Sequence, residues 1–290
     1  MRIVYHLGAH LTDEERLIRC LLKNRGALAE AGIAVPAPTR YRRLIRDTSI
    51  ALGGARASAE QQALILDQIL DDAAVRRVIL SWDSFLAYAP SAIHGTLYPF
   101  SGQRIRAVTQ VFPDHEAEFH LALRNPATFL PAFRRAANPK VRRSIDASTD
   151  PVDLRWSDVV TQLRAQNPGV PVTVWCDEET PLIWPEVLQA VSGHGPDLGL
   201  VETDELLALI LNDTGLARMR AYLAEHPPQD VTQRRRVVSA FLEKFSRPEQ
   251  VDYEIDMPGW TGDFVARLTD LYHRDVERIR RMPGVTLLTA

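Results

Sequence analysis

Cysteine is nearly missing from this chain: Cys20 and Cys176 are the only two among 290 residues. They stand far apart, and Cys20 falls inside a helical pattern, so a disulfide framework is excluded and both read as reduced core or near-core thiols. No apolar run approaches the roughly 20 residues of a membrane span. No basic-then-apolar leader precedes the strand-like residues that begin at position 2, which makes a cytoplasmic location the expectation. Repeats and low-complexity tracts are absent. The net charge of −3 gives no bulk pull toward nucleic acid or an anionic membrane, and neither is an expected partner. What is present is ordinary globular composition, 46% hydrophobic and 24% charged, ample for a core. The expectation is a single domain over 1–290, with a helical C-terminal part over about 203–282.

The stretch MRIVYHLGAHLTDEERLIRCLLKNRGAL organises the rest. Residues 2–5 read as a short buried strand, His6-Leu7-Gly8-Ala9-His10 as a turn, Thr12-Asp13-Glu14-Glu15 as a helix start, and 16–31 as that helix. A strand passing through a Gly-bearing turn into a helix N-terminus is a generic phosphate cradle, because free N–H groups and the helix dipole converge there. This turn, however, carries three carboxylates and no lysine, and it does not match GxxxxGK[ST]. Its acids have a plain structural reading as complements of the helix dipole, at ~0.3–1 kcal/mol each. Architecture and charge therefore disagree.

Farther along, strands and helices alternate. Extended segments are expected at 32–36, 77–81, 116–123, 170–175 and 284–288. Helices are expected over 40–52, 59–73 with a Ser58/Gln61 capping box, 102–111, 127–137 with a kink or break at Pro131, 154–166 and 183–191, the last with Pro185 in its first turn. Four more, over 203–212, 214–225, 232–245 and 261–281, begin near threonine caps. Residues 87–100 read as a long loop, and 138–153 as polar, irregular and mobile. Alternation of this kind predicts an α/β fold with a parallel sheet and helices on both faces. Ligands of such sheets bind outside the strand carboxyl ends, which selects residues 7–15, 81–86, 124–126 and 176–180.

Within those segments, Asp83 directly follows a strand and would face the same crevice as the first turn. It is a candidate general base for a hydroxyl, or else the N-cap of a short helix. Arg124 ends a strand and suits a phosphate or carboxylate, or a salt bridge to Asp83 or Glu14. His6 and His10 flank the turn. With Asp83 or Asp177-Glu178-Glu179 they could ligate a metal, but no established ligand spacing is present; hydrogen bonding within the loop is the expected role, and no metal is expected. Trp156, Trp175, Trp184 and Trp260 are core by type, whereas Trp82 could wall the crevice. Arg234-Arg235-Arg236 opens a helix, where the dipole disfavours cations, and reads as an anion contact, a partner contact or a solvated face.

HLGAHLTDEERLIRCLLKNRGALAEAGIAVP resembles the opening of bacterial sulfotransferase-family proteins, which read strand–HxGxHKTGTT–helix, then an Asn-rich helix end and a GIxxP return. His6, Gly8, His10, Thr12, Leu22, Asn24, Leu28, Gly32, Ile33 and Pro36 fit that frame. RVILSWDSF resembles the family's strand–Ser-x-Glu–Phe segment, FHLALRNPATFLPAF its strand–LRxPxxFxxS segment, and LYHRDVERIRRMPGVTLL its last helix and strand. The resemblance implies a P-loop-type α/β fold and transfer of a sulfuryl group from 3′-phosphoadenosine 5′-phosphosulfate (PAPS) to a hydroxyl or amine of a small-molecule or carbohydrate acceptor. It implies that the backbone of Gly8, Ala9, His10, Leu11 and Thr12 holds the donor, that His10 and Arg16 supply positive charge, and that Arg124 meets the 3′-phosphate. Asp83 and His10 are the implied catalytic residues, with Asp83 as base. The chain departs from the pattern at Leu11, where the family has a lysine, and at Asp13-Glu14-Glu15, where it has Gly-Thr-Thr. Asp83 replaces a glutamate and Ala132 a serine. Two readings follow: a sulfotransferase-type enzyme, or a non-catalytic relative that keeps the fold as a binding or scaffolding module.

Overall fold

Four of the five residues of RIVYH are buried, and Arg2–His6 forms strand β1. Continuous burial, rather than alternation, is what a parallel strand covered on both faces requires. The structure, a computed structural model, describes all residues except 72, 73, 252–254 and 256. β2 (Ile33–Ala34) and β3 (Arg77–Ser81) follow β1. A separate two-residue hairpin comprises β4 (Ile93–His94) and β5 (Thr96–Leu97). β6 (Glu116–Leu123), β7 (Val172–Cys176) and β8 (Val285–Leu288) complete the strands. Six of them make one wholly parallel sheet in the order β2-β3-β1-β6-β7-β8.

Parallel neighbours need crossover connections, and these are helical. α1 (Arg16–Lys23) and α2 (Arg25–Glu30) link β1 to β2; α3 (Pro38–Leu52) and α4 (Ala59–Ile69) link β2 to β3. α5 (Ser101–Thr109) precedes β6, and α6 (Pro126–Ala136), α7 (Pro139–Ser148) and α8 (Trp156–Gln166) precede β7. The last connection carries α9 (Thr180–Ser192), α10 (Glu205–Ile210), α11 (Asp213–Glu225), α12 (Val231–Phe245), α13 (Pro248–Val251) and α14 (Gly262–Arg280).

Two cores result, one on each face. Tyr5, Leu80, Phe119 and Leu121 meet Tyr41 and Ile45 of α3, Phe129 of α6, Trp156 of α8 and Tyr272 of α14. On the opposite face Val4, Ile79, Ala122 and Trp175 meet Leu17 and Leu21 of α1 and Trp184 and Val187 of α9. Each fully buried large apolar side chain contributes about 1.5–3 kcal/mol relative to exposure. A third, smaller cluster joins Leu207, Leu211, Met219 and Val238 within α10–α12. Among the described residues no helix is long and apolar enough to cross a membrane.

Several expectations change. The helix expected over 16–31 is two helices, because Asn24 leaves helical geometry and its side chain bonds to the carbonyls of Cys20 and Val201. Glu14 and Glu15, read as part of the helix start, both have positive φ, at 46° and 67°, and the helix begins at Arg16. Residues 138–153 are not irregular. Asn138 caps α7 by accepting from the N–H groups of Lys140 and Val141. Pro131 sits inside α6 without ending it, and α9 starts early, with Pro185 in its interior and a departure from helical geometry at Ile183. Of the four expected threonine caps only Thr261 caps its helix; Asn212 and Asp230 cap α11 and α12. The Ser58/Gln61 capping box is formed, and α4 ends at Ile69; the expected end at 72–73 lies outside the described residues. Both cysteines are free.

Candidate functional site: the crevice at the carboxyl ends of β3, β1 and β6

β1 is the switch point of the sheet. Its own connection leaves over the face that carries α1 and α9, while those after β2, β3 and β6 run over the other. In such sheets ligands bind above the carboxyl end of the strand where the connections diverge, which here is β1. The turn at residues 7–15 crosses it. Ala122 donates its N–H to the Gly8 carbonyl (2.8 Å), and Leu7 donates to the His120 carbonyl (2.8 Å), so the turn is tied to β6. Gly8 has φ +91°, and a Cβ placed on it would stand 3.0 Å from the Cα of Asp83. Only glycine allows this approach, and it brings Asp83 from β3 against the turn.

The three acids of the turn have partners in the chain. Asp13 Oδ2 accepts from the Leu17 N–H (3.0 Å), and the Asp13 carbonyl accepts from the Arg16 N–H (2.9 Å). Glu14 pairs with Arg16 (2.8 Å). Glu15 pairs with Arg42 of α3 and, at 3.8 Å, with Arg19. Arg42 also donates to the Ser81 carbonyl through Nε and Nη2 (3.1 and 2.9 Å), anchoring Glu15 to the end of β3. The acids thus hold the turn in place: arginines offset the charge of Glu14 and Glu15, and a helix N–H engages Asp13. Thr12 donates its hydroxyl to the Ala9 carbonyl (2.9 Å). Among the described residues nothing accepts from the N–H groups of Ala9, Leu11 or Thr12.

Arg124, buried at the end of β6, donates through Nη1 to the Leu11 carbonyl. Beside it, Asp177 follows β7 and lies within the fields of Arg124, Arg16, Asp13 and Glu178. Enclosure by protein and the neighbouring Glu178 charge push its carboxyl up to about 7, against the pull of the two arginines. Glu178 accepts from the Asn125 N–H (2.7 Å) and the Tyr272 hydroxyl (3.1 Å), fastening α14 and the start of α6 to β7.

The two histidines of the turn separate. His6 is buried against Trp175, with ring planes 11° apart, and Nδ1 lies 2.8 Å from the Ser81 hydroxyl. Its Nε2 is sealed without a partner among the described residues, and burial lowers its pKa. His10 is buried between Tyr98 and Phe133, its Nδ1 2.9 Å from the Tyr98 hydroxyl. Burial lowers its pKa too, against the opposing field of Asp83. Among the described residues no three His, Cys, Asp or Glu side chains are grouped to hold a metal ion.

No family model, curated protein or solved structure matches the chain. The site therefore rests on its geometry. The structure sets Gly8 against Asp83 and ties Arg124 to Leu11, so that Gly8, Ala9, His10, Leu11, Thr12, Arg16, Asp83 and Arg124 lie about the carboxyl ends of β1, β3 and β6. Asp83 is exposed and does not cap the turn that follows it, since the Phe85 N–H goes to the Trp82 carbonyl (3.1 Å). Arg124 reaches the first turn itself. Trp82 lines a groove of about 480 Å³ with Ile45, Ile50, Tyr88, Phe100 and Arg104; Ile50 and Phe100 are 69% and 64% exposed. Arg104 lies 4.2 Å over the Tyr88 ring. Arg235 pairs with Glu186 of α9 (2.9 Å) and is a structural contact of α12. Sequence reasoning missed Tyr98, Arg42 and the part played by Asp177 beside Arg124. Only Asp177 carried a signal, its position directly after a strand.

Proposed function

We propose that the chain is a sulfotransferase-like protein of P-loop type whose crevice binds a sulfated or phosphorylated nucleotide and delivers a sulfuryl group to an acceptor hydroxyl or amine. One observation carries this reading: in the turn after β1 the N–H groups of Ala9, Leu11 and Thr12 have no acceptor among the described residues, beside Arg124 and with Asp83 held against Gly8. Backbone donors and an arginine fit an anion. The acids would oppose one, but each is already engaged by Arg16, Arg19, Arg42 or a helix N–H. PAPS would supply the sulfuryl group. Asp83 accepts the proton of the acceptor hydroxyl as the new O–S bond forms and the sulfur–oxygen bond to the phosphate breaks, leaving 3′-phosphoadenosine 5′-phosphate. The apolar groove at Trp82, next to Asp83 in sequence, suits an acceptor with an apolar body.

A specific observation favours the second reading, a non-catalytic binding module. Leu11 has positive φ (58°) and Arg124 is committed to its carbonyl, so the chain closes part of the turn with its own cation. Thermal unfolding with 3′-phosphoadenosine 5′-phosphate separates the two. Ligand at a hundredfold excess over Kd adds about 2.7 kcal/mol, a rise of several degrees. An unchanged midpoint at millimolar nucleotide leaves the binding-module reading; PAPS-dependent transfer abolished by Asp83→Asn excludes it.

A further inference from the structure

Tyr98 belongs to the segment between β5 and α5 and is fully buried. Its backbone has positive φ (45°), its N–H donates to the Ala92 carbonyl (2.7 Å), and its ring packs 5.8 Å from Trp156. So held, its hydroxyl accepts the backbone N–H of His10 (3.1 Å) and stands 2.9 Å from Nδ1 of the same residue, with the two rings 12° from parallel. A buried phenol must also donate its proton. Among the described residues both hydrogen bonds of this hydroxyl go to His10, and with the backbone N–H acting as donor, Nδ1 is the acceptor. Burial raises the phenol pKa, which keeps that proton on Tyr98.

We infer that Tyr98 is a positioning residue that fixes His10 as the neutral imidazole with its proton on Nε2. His10 Nε2, unlike that of His6, is not a sealed atom without a partner. An imidazole already protonated at Nε2 takes no proton from an acceptor. It donates, and the chemistry it suits is an oxyanion, a phosphate or sulfate oxygen lying in the turn beside the N–H groups of Leu11 and Thr12. Proton acceptance then falls to Asp83. The ligand half of this inference rests on the function proposed above; the tautomer does not.

The test uses the full chain labelled with ¹⁵N-histidine, with the His10 signals assigned from their loss in His10→Gln. At neutral pH the expected spectrum shows His10 Nδ1 unprotonated and Nε2 protonated. In Tyr98→Phe the two signals move toward averaging or exchange roles. A wild-type His10 protonated at Nδ1 overturns the inference, and so does a His10 spectrum unchanged by Tyr98→Phe. The wild-type spectrum decides the tautomer even where the variant fails to fold. In a second arm, affinity for 3′-phosphoadenosine 5′-phosphate is expected to fall about 3–10-fold in Tyr98→Phe, the size of one misdirected hydrogen bond. If wild type binds no nucleotide while the tautomer is as stated, the proposed function fails and the assignment of Tyr98 stands.

Discussion

The guanidinium of Arg124, at the end of β6, donates to the backbone carbonyl of Leu11 in the turn after β1. Arg124 is 8% exposed, so this contact between adjacent strand ends lies largely out of water. Arg124→Ala would leave the Leu11 carbonyl without this donor and remove the main cation from the crevice. The expected cost is about 1–3 kcal/mol, seen as a lower thermal midpoint. Any stabilisation by 3′-phosphoadenosine 5′-phosphate would vanish with it. A variant that unfolds at the wild-type temperature and still responds to the nucleotide would show that Arg124 neither ties the turn nor clamps an anion.

Gly8 makes the second tie. An alanine there must hold φ near +91° and place a methyl 3.0 Å from the Asp83 Cα. Left-handed backbone costs an L-residue roughly 1–2 kcal/mol before any clash. Gly8→Ala is therefore expected to destabilise by about 2 kcal/mol or more and to displace Asp83. Gly26→Ala, whose added Cβ would meet nothing within 4 Å, serves as the comparison. Equal midpoints for the two variants would refute the role given to Gly8.

The strands of the large sheet could be read from the chain: 77–81 and 116–123 come out as β3 and β6 without adjustment. The hairpin β4–β5 could not, because two residues per strand set no pattern within 87–100, the segment read as a loop. The Ser58/Gln61 box was legible because both partners lie within one turn of helix. α7 was not, because Ile145 is its only buried residue and its apolar face is too thin to set a period. The site divides in the same way. Strand ends and the glycine turn select Asp83, His10 and Arg124, since topology places them. The partners that give those residues their state lie far off in sequence: Arg42 is 27 residues from Glu15, and Tyr98 is 88 from His10. Nothing local marks a tyrosine inside a loop as a partner of an imidazole, so the acids of the turn read as unneutralised and His10 as a source of positive charge.

Three buried histidines set the response to acid. His6, His10 and His120 all have pKa values lowered by burial. In the unfolded chain each takes up a proton near pH 6.5, whereas the folded chain does so only at lower pH. The histidines' contribution to stability is then full above about pH 6.5 and falls as the pH drops below it, by up to about 1.4 kcal/mol per unit for each histidine, against the smaller opposing contribution of Asp177. Urea midpoints at pH 7.5, 6.5 and 5.5 should decline across the series. His120→Gln, which can still donate to Glu118, should make the decline shallower. A flat series, or an identical slope in the variant, would count against neutral buried imidazoles.

Asp177 works in the opposite sense. Its folded pKa is raised from 3.8 to about 7, so the native chain holds a proton that the unfolded chain has already released. Stability is lost as the pH rises from about 3.8 to about 7, and the whole cost is carried above that. Asp177→Asn removes the titration. At pH 8 the variant should be more stable by roughly 1–3 kcal/mol, less than the full shift would give because Asp177 still meets some water. At pH 5 only the first part of that cost has accrued, and the gain should be less than half as large. Thermal midpoints of the two proteins at both pH values make the comparison. A gain of equal size at the two pH values would mean that the amide simply packs better than the carboxyl, with no charge penalty relieved. A loss at pH 8 would mean that the carboxylate is needed as the partner of Arg124 and Arg16, and that the crevice is organised around an ion pair instead of an anion site.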